Sequence, residues 1–146
     1  MASINKMQNE YTNIANISLT NGLSLEFGII GVSGNVDGLA TGTTTLVTVP
    51  TGQNFLITHL VFIPASFTGA TGNLVLSVGT VGAGYDNIMP STTLTNFNAS
   101  EEVYLHAVNS TSVLAVPTDN VTVNITTAFS AGTFGLFEVA LLGVII

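Results

Sequence analysis

The chain has no cysteine and no tryptophan, and Lys6 is its one basic side chain against eight carboxylates, giving a formal charge of -7 over 146 residues. Each shortage removes a class of function. Without thiols there is no zinc-thiolate site, iron-sulfur cluster, thiol catalysis or disulfide framework. Without cations a phosphate backbone is repelled, and the counterion release that drives nucleic-acid binding has almost nothing to work with, so nucleic acid is excluded as a partner. The same deficit argues against anionic membrane surfaces, phosphorylated ligands and most nucleotide cofactors.

Long hydrophobic runs are also missing. Mean hydropathy is high at +0.61 with only 6% charged residues, yet the longest unbroken apolar stretch is the tail Val139-Ala140-Leu141-Leu142-Gly143-Val144-Ile145-Ile146. That is far short of the roughly 20 residues a membrane-crossing helix needs. The apolar surplus must be buried within the fold or between copies, because a soluble monomer rarely leaves a large contiguous apolar patch in water. A homo-oligomer is the expectation. The polar start, Met1-Ala2-Ser3-Ile4-Asn5-Lys6, lacks the apolar region of a secretory signal, which predicts synthesis and use in a cytoplasm.

Short runs of β-branched and aromatic residues, separated by Gly, Pro, Asn, Asp and Ser, fill the chain from residue 23 onward. No amphipathic helix interrupts them, so the expected class is all-β. Strict alternation over 121–126 places Val121, Val123 and Ile125 on one face and Thr122, Asn124 and Thr126 on the other. The segments 54–63 and 134–146 are nearly continuously apolar, as expected of strands covered on both faces and lying inside their sheets. Further strands are expected over 25–32, 43–49, 73–78, 102–108 and 113–116. Seven or eight strands at this spacing predict a two-sheet β-sandwich, jelly-roll-like, the absence of Cys and Trp weighing against an immunoglobulin-like topology.

Residues 1–22 differ from this single domain of 23–146. They are polar and Asn-rich, with Ile4, Met7, Tyr11, Ile14 and Ile17 three or four apart. That spacing predicts an N-terminal arm, a short amphipathic helix or a segment that orders against a partner, with Lys6 as its only cation; the alternative is a frayed terminus.

Catalysis has little to stand on. His59 lies in an apolar run and His106 shares a strand face with Tyr104, both as expected of sandwich residues with satisfied rings. Glu101 and Glu102 are adjacent and point to opposite faces of a strand, so they cannot pair around a substrate. Asp37, Asp86 and Asp119 sit in turns, where an aspartate bonds its own backbone. No Asp-rich loop offers the convergent oxygens of a calcium site. Gly79-Thr80-Val81-Gly82-Ala83-Gly84 lacks the lysine and following helix of a phosphate loop and reads as a connection between strands. The sequons at Asn16, Asn98, Asn109, Asn120 and Asn124 are expected by chance in a chain so rich in Asn, Ser and Thr. Neither an enzyme activity, a cofactor nor a metal is expected. Sugar recognition is the binding alternative, limited by an inventory of Tyr11, Tyr85 and Tyr104 as amphipathic rings.

Thr48-Val49-Pro50-Thr51-Gly52-Gln53-Asn54-Phe55-Leu56-Ile57-Thr58 combines a strand, a Val-Pro-x-Gly turn and an apolar strand. Together with Leu76-Ser77-Val78-Gly79-Thr80, Tyr85-Asp86-Asn87-Ile88 and Glu138-Val139-Ala140-Leu141-Leu142-Gly143, it resembles the jelly-roll virion proteins of tailed bacteriophages. Gln53 departs from the basic residue often found at that turn. The resemblance implies a capsid decoration (cement) protein, typically a homotrimer seated outside the shell, or a head- or tail-fibre module. An acidic chain suits an exterior surface better than a genome-filled interior, and an apolar surplus suits a trimer axis. The resulting expectation is a homotrimer on the outer capsid surface, made in the host cytoplasm, that contacts the major capsid protein through the arm residues Ile4, Lys6, Met7, Tyr11, Ile14 and Ile17. The alternative is a fibre or receptor-binding module that meets a host surface glycan at a loop tip carrying Tyr85 and Asp86.

Overall fold

The computed structural model describes the backbone of residues 16–18, 24–80, 84–97, 104–108 and 113–146. The strands among them are β1 (Asn16–Ser18), β2 (Ser24–Val32), β3 (Val36–Asp37), β4 (Gly42–Thr48), β5 (Phe55–Thr68), β6 (Leu74–Gly79), β7 (Met89–Leu94), β8 (Tyr104–Ala107), β9 (Val113–Ala115), β10 (Asn120–Thr127) and β11 (Phe134–Ile145). The larger sheet has the order β1-β2-β11-β5-β8, with β3 continuing β2 along β11 and β9 continuing β8 along β5. The smaller sheet has the order β4-β10-β6-β7. Apart from the β6–β7 hairpin, the chain crosses from sheet to sheet between successive long strands, and every pairing is antiparallel. This is the two-sheet jelly roll, with β1 added at one edge.

The nearly continuous apolar segments do occupy sheet interiors. β11 lies between β2 and β5, and β5 lies between β11 and the β8–β9 edge. Alternation holds in β10, where Val121, Val123 and Ile125 enter the core between the sheets. At the centre of that core Phe97 packs edge-on against Phe62 (centroids 6.5 Å apart), Phe67 (5.3 Å) and Phe137 (5.6 Å). Edge-to-face contact sets the positive ring edge against a negative face, so these rings add specificity to their large burial.

Three elements depart from the sequence expectation. β7 carries apolar residues only at its ends, Met89 and Leu94, and is held as a strand by pairing with β6. Pro90 is accommodated there because β7 forms the sheet edge, where a missing N–H costs no ladder bond. β5 runs past Ile63 to Thr68, passing Pro64 at a bulge opposite Leu136 and Phe137. Ile17 lies in β1, paired with Leu25, so its backbone is extended rather than the last turn of a helical stripe.

Candidate functional site

The titratable groups do not converge. His59 pairs across strands with Ala107 and His106 with Leu60, one register step apart, so the two histidines hold positions on opposite faces of the sheet. The His59 ring is half-buried, with Nδ1 3.1 Å from the Thr58 hydroxyl, which in turn donates to the Leu142 carbonyl at 3.2 Å. Asp37 accepts from the Leu39 N–H at 2.9 Å and Asp119 from the Val116 N–H at 3.0 Å, the local backbone bonds expected of turn aspartates. Among the described residues no three His, Asp or Glu side chains gather to hold a metal, and no helix is long and apolar enough to cross a membrane. Glu101 and Glu102 lie outside the described residues.

The β6–β7 tip, which carries Tyr85 and Asp86, is tied by the side chains of Asn87 and Ser77. Asn87 accepts from the Thr80 N–H at 2.8 Å and donates to the Thr80 hydroxyl at 2.9 Å, closing the loop across its neck. Ser77 donates to the Gly84 carbonyl at 2.9 Å, and the Ile88 N–H bonds the Val78 carbonyl at 3.0 Å. Gly79 is required by space: a Cβ there would lie 2.5 Å from both the Asn87 Oδ1 and the Tyr85 carbonyl carbon. Tyr85 takes a left-handed backbone (φ 46°), uncommon for a residue with a side chain, and its ring is half-buried while Asp86 is exposed. The glycine-rich connection thus has a fixed neck.

Two surfaces present uncommon chemistry. On the smaller sheet's outward face, Thr45 pairs with Thr122 and Thr43 with Asn124; Thr43 and Thr45 are exposed and Asn124 is half-buried, an uncharged hydroxyl and amide surface, while Thr122 is buried. At one end of the larger sheet, β9 and the end of β11 flank the start of β5 from opposite sides, Ala115 and Ile145 both pairing with Phe55. There Leu114, Val116, Ile145 and Ile146 are exposed, and the Ile146 backbone is fixed by two bonds with Asn54 at 2.9 and 3.0 Å. Sequence reasoning missed this exposed apolar rim, although the apolar tail already signalled half of it. Of the arm residues singled out from sequence, Ile4, Lys6, Met7, Tyr11 and Ile14 lie outside the described residues.

No protein-family model matches the chain, and no curated protein matches it in sequence. Solved structures do match its fold. A chain of the acidic stable capsid structure of Helicobacter pylori bacteriophage KHP30 aligns with a TM-score of 0.53 at 15% identity, covering 80% of this chain and 88% of that one. A chain of the cyanophage Pam1 capsid asymmetric unit aligns with a TM-score of 0.52 at 16% identity, covering 78% of this chain and 80% of that one. At such identity the likeness is one of fold, and at that level the expected resemblance to jelly-roll phage virion proteins holds: this all-β, two-sheet sandwich is shared with chains of two phage capsids.

Proposed function

We propose that this protein is a structural, non-enzymatic component of a phage virion, a decoration protein that binds the outer capsid surface as a homotrimer and stabilises the shell. The observation that carries the reading is the fold shared with phage capsid chains over about four-fifths of its length. The apolar rim of Leu114, Val116, Ile145 and Ile146 supports it, since an exposed apolar cluster in a single copy is where a second copy or a coat subunit gains most by burial. Attachment to the major capsid protein is assigned to that rim and to the arm, residues 1–22, with candidate contacts Ile4, Lys6, Met7, Tyr11, Ile14 and Ile17. The mechanism is linkage: each copy bridges neighbouring coat subunits, so opening the shell must also break those contacts.

The test is a mass-spectrometric copy count in purified particles together with native mass spectrometry of the isolated protein at micromolar concentration. Hundreds of copies per particle and a trimer mass are expected. A well-folded monomer would overturn the trimer. A few dozen copies or fewer would instead make the protein a fibre module, with the Tyr85 and Asp86 tip as its glycan-facing end.

A further inference from the structure

The two edges of the smaller sheet differ in how they meet solvent. β7 is guarded: Pro90 has no N–H to offer, Thr92 donates its hydroxyl to the Pro90 carbonyl at 2.7 Å, and the pairing with β6 shifts register between Leu76 and Val78. β4 carries no such guard over its first four residues. Gly42, Thr43, Thr44 and Thr45 include no proline and no charge, and all four are exposed. Among the described residues β4 pairs only with β10, so alternate residues turn an N–H and a C=O away from the sheet with no strand to receive them. The bulge opposite Val121 and Thr122, where Leu46 is the extra residue, ends this regular edge at Thr45.

We propose that the edge of residues 42–45 pairs antiparallel with the same edge of a second copy of this chain, joining two smaller sheets into one across a two-fold axis at Thr44. Charge supports a copy as the occupant. Self-pairing sets each residue opposite itself or a near neighbour, so a charged side chain on the edge would meet its own like charge. The chain has a formal charge of -7, yet residues 42–48 carry none of it. Asp37, before β4, and Asp119, beside the Asn120 that pairs with Thr48, accept from the Leu39 and Val116 N–H groups of their own turns. Register supports it too. Thr43 and Thr45 lie on the outward face, whereas Thr44 pairs with the core residue Val123 and lies on the inward one. Paired residues share a face, so with Thr44 opposite Thr44 each Thr43 meets Thr45 of the other copy and both faces continue across the junction. Thr–Thr cross-strand pairs are among the favourable ones. Room is the last support. β1, the outer strand of the larger sheet, pairs with β2 at Ser24–Glu26, and the next residue, Phe27, is level with Val144 and Leu56 near the start of β5. Only residues 49–54 separate that start from Thr48, so β1 stands at the Thr48 end of β4 and the 42–45 end is clear of it. The inference does not rest on the virion role.

The chain has no cysteine, so Thr44→Cys places one thiol per copy at the axis, where antiparallel partners stand close enough for a disulfide. Thr93→Cys, exposed on the guarded β7, is the control. Both full-length variants are oxidised at one protein concentration and followed on a non-reducing denaturing gel. Expected is a linked dimer that forms at least about tenfold faster for Thr44→Cys, because pairing raises the effective concentration of the two thiols. Thr44→Lys sets two ammonium groups opposite each other and should lower the particle mass in native mass spectrometry by a factor of about two, with the β-sheet circular dichroism retained. That factor is the same whether dimers fall to monomers or paired trimers fall to single trimers, so the result does not depend on the trimer. Thr44→Glu, which adds like charge of the other sign, repeats the measurement should Thr44→Lys fail to fold. Equal crosslinking rates in the two cysteine variants, or an unchanged mass in the folded charge variant, would overturn the proposal.

Discussion

Gly143→Ala adds a single methyl group at the centre of the larger sheet, and the structure leaves no room for it. Gly143 pairs with Ile57 of β5 and Gly28 of β2, at a bulge where Thr58 is the extra residue on β5. A Cβ there would overlap the Leu56 carbonyl oxygen and lie 2.9 Å from the Leu56 carbonyl carbon and 3.1 Å from the Ile57 Cα. All three neighbours are backbone, so no side-chain rotation relieves the clash and the two central strands must separate. Overpacking of this kind costs about 1–3 kcal/mol. A strained or broken ladder bond adds about 1 kcal/mol, and the stiffer unfolded chain of alanine returns about 0.4–1 kcal/mol. The net expectation is a loss of about 2–3 kcal/mol, or roughly 5–10 °C in melting temperature for a domain of this size. Gly34→Ala is the control, because nothing lies within 4 Å of its added Cβ; it should stay within about 0.5 kcal/mol of the parent chain. Urea unfolding followed by circular dichroism, at one fixed protein concentration in case of oligomerisation, measures both. A Gly143→Ala protein as stable as the control would refute the close approach of β11 to β5.

Asn87→Ala should cost about 1–2 kcal/mol by removing both bonds to Thr80, while Asn87→Asp keeps the acceptor for the Thr80 N–H and should lose about half as much; hydrogen exchange at the Thr80 amide would report the loosened neck. His59→Ala and His106→Ala should alter stability at most and leave occupancy on undecorated shells unchanged, because the two residues hold register positions on opposite faces. Loss of occupancy at unchanged melting temperature in either variant would assign that histidine a binding role.

Much of the fold was legible because strand alternation is a local, two-residue repeat. Val121, Val123 and Ile125 announce their buried face from sequence alone, and the unbroken runs of β5 and β11 announce cover on both sides. Asp37 and Asp119 were legible as turn residues because an aspartate reaches backbone N–H groups two or three positions away whatever the rest of the chain does. β7 was not legible, since Met89 and Leu94 enclose four residues with no buried apolar side chain, and only the edge of β6 makes them a strand. Nor was the rim of Leu114, Val116, Ile145 and Ile146: which apolar side chains are left exposed depends on where β9 and β11 stop against β5, a pairing between residues far apart in the chain. The sequence by itself determined the class, the central strands, the faces they bury and the exclusion of cationic and thiol chemistry, all of which follow from residue type and short-range spacing. Only the tertiary structure decided the order of strands and which apolar side chains stay exposed at the ends of β9 and β11, because these arise from long-range pairing that no local pattern encodes.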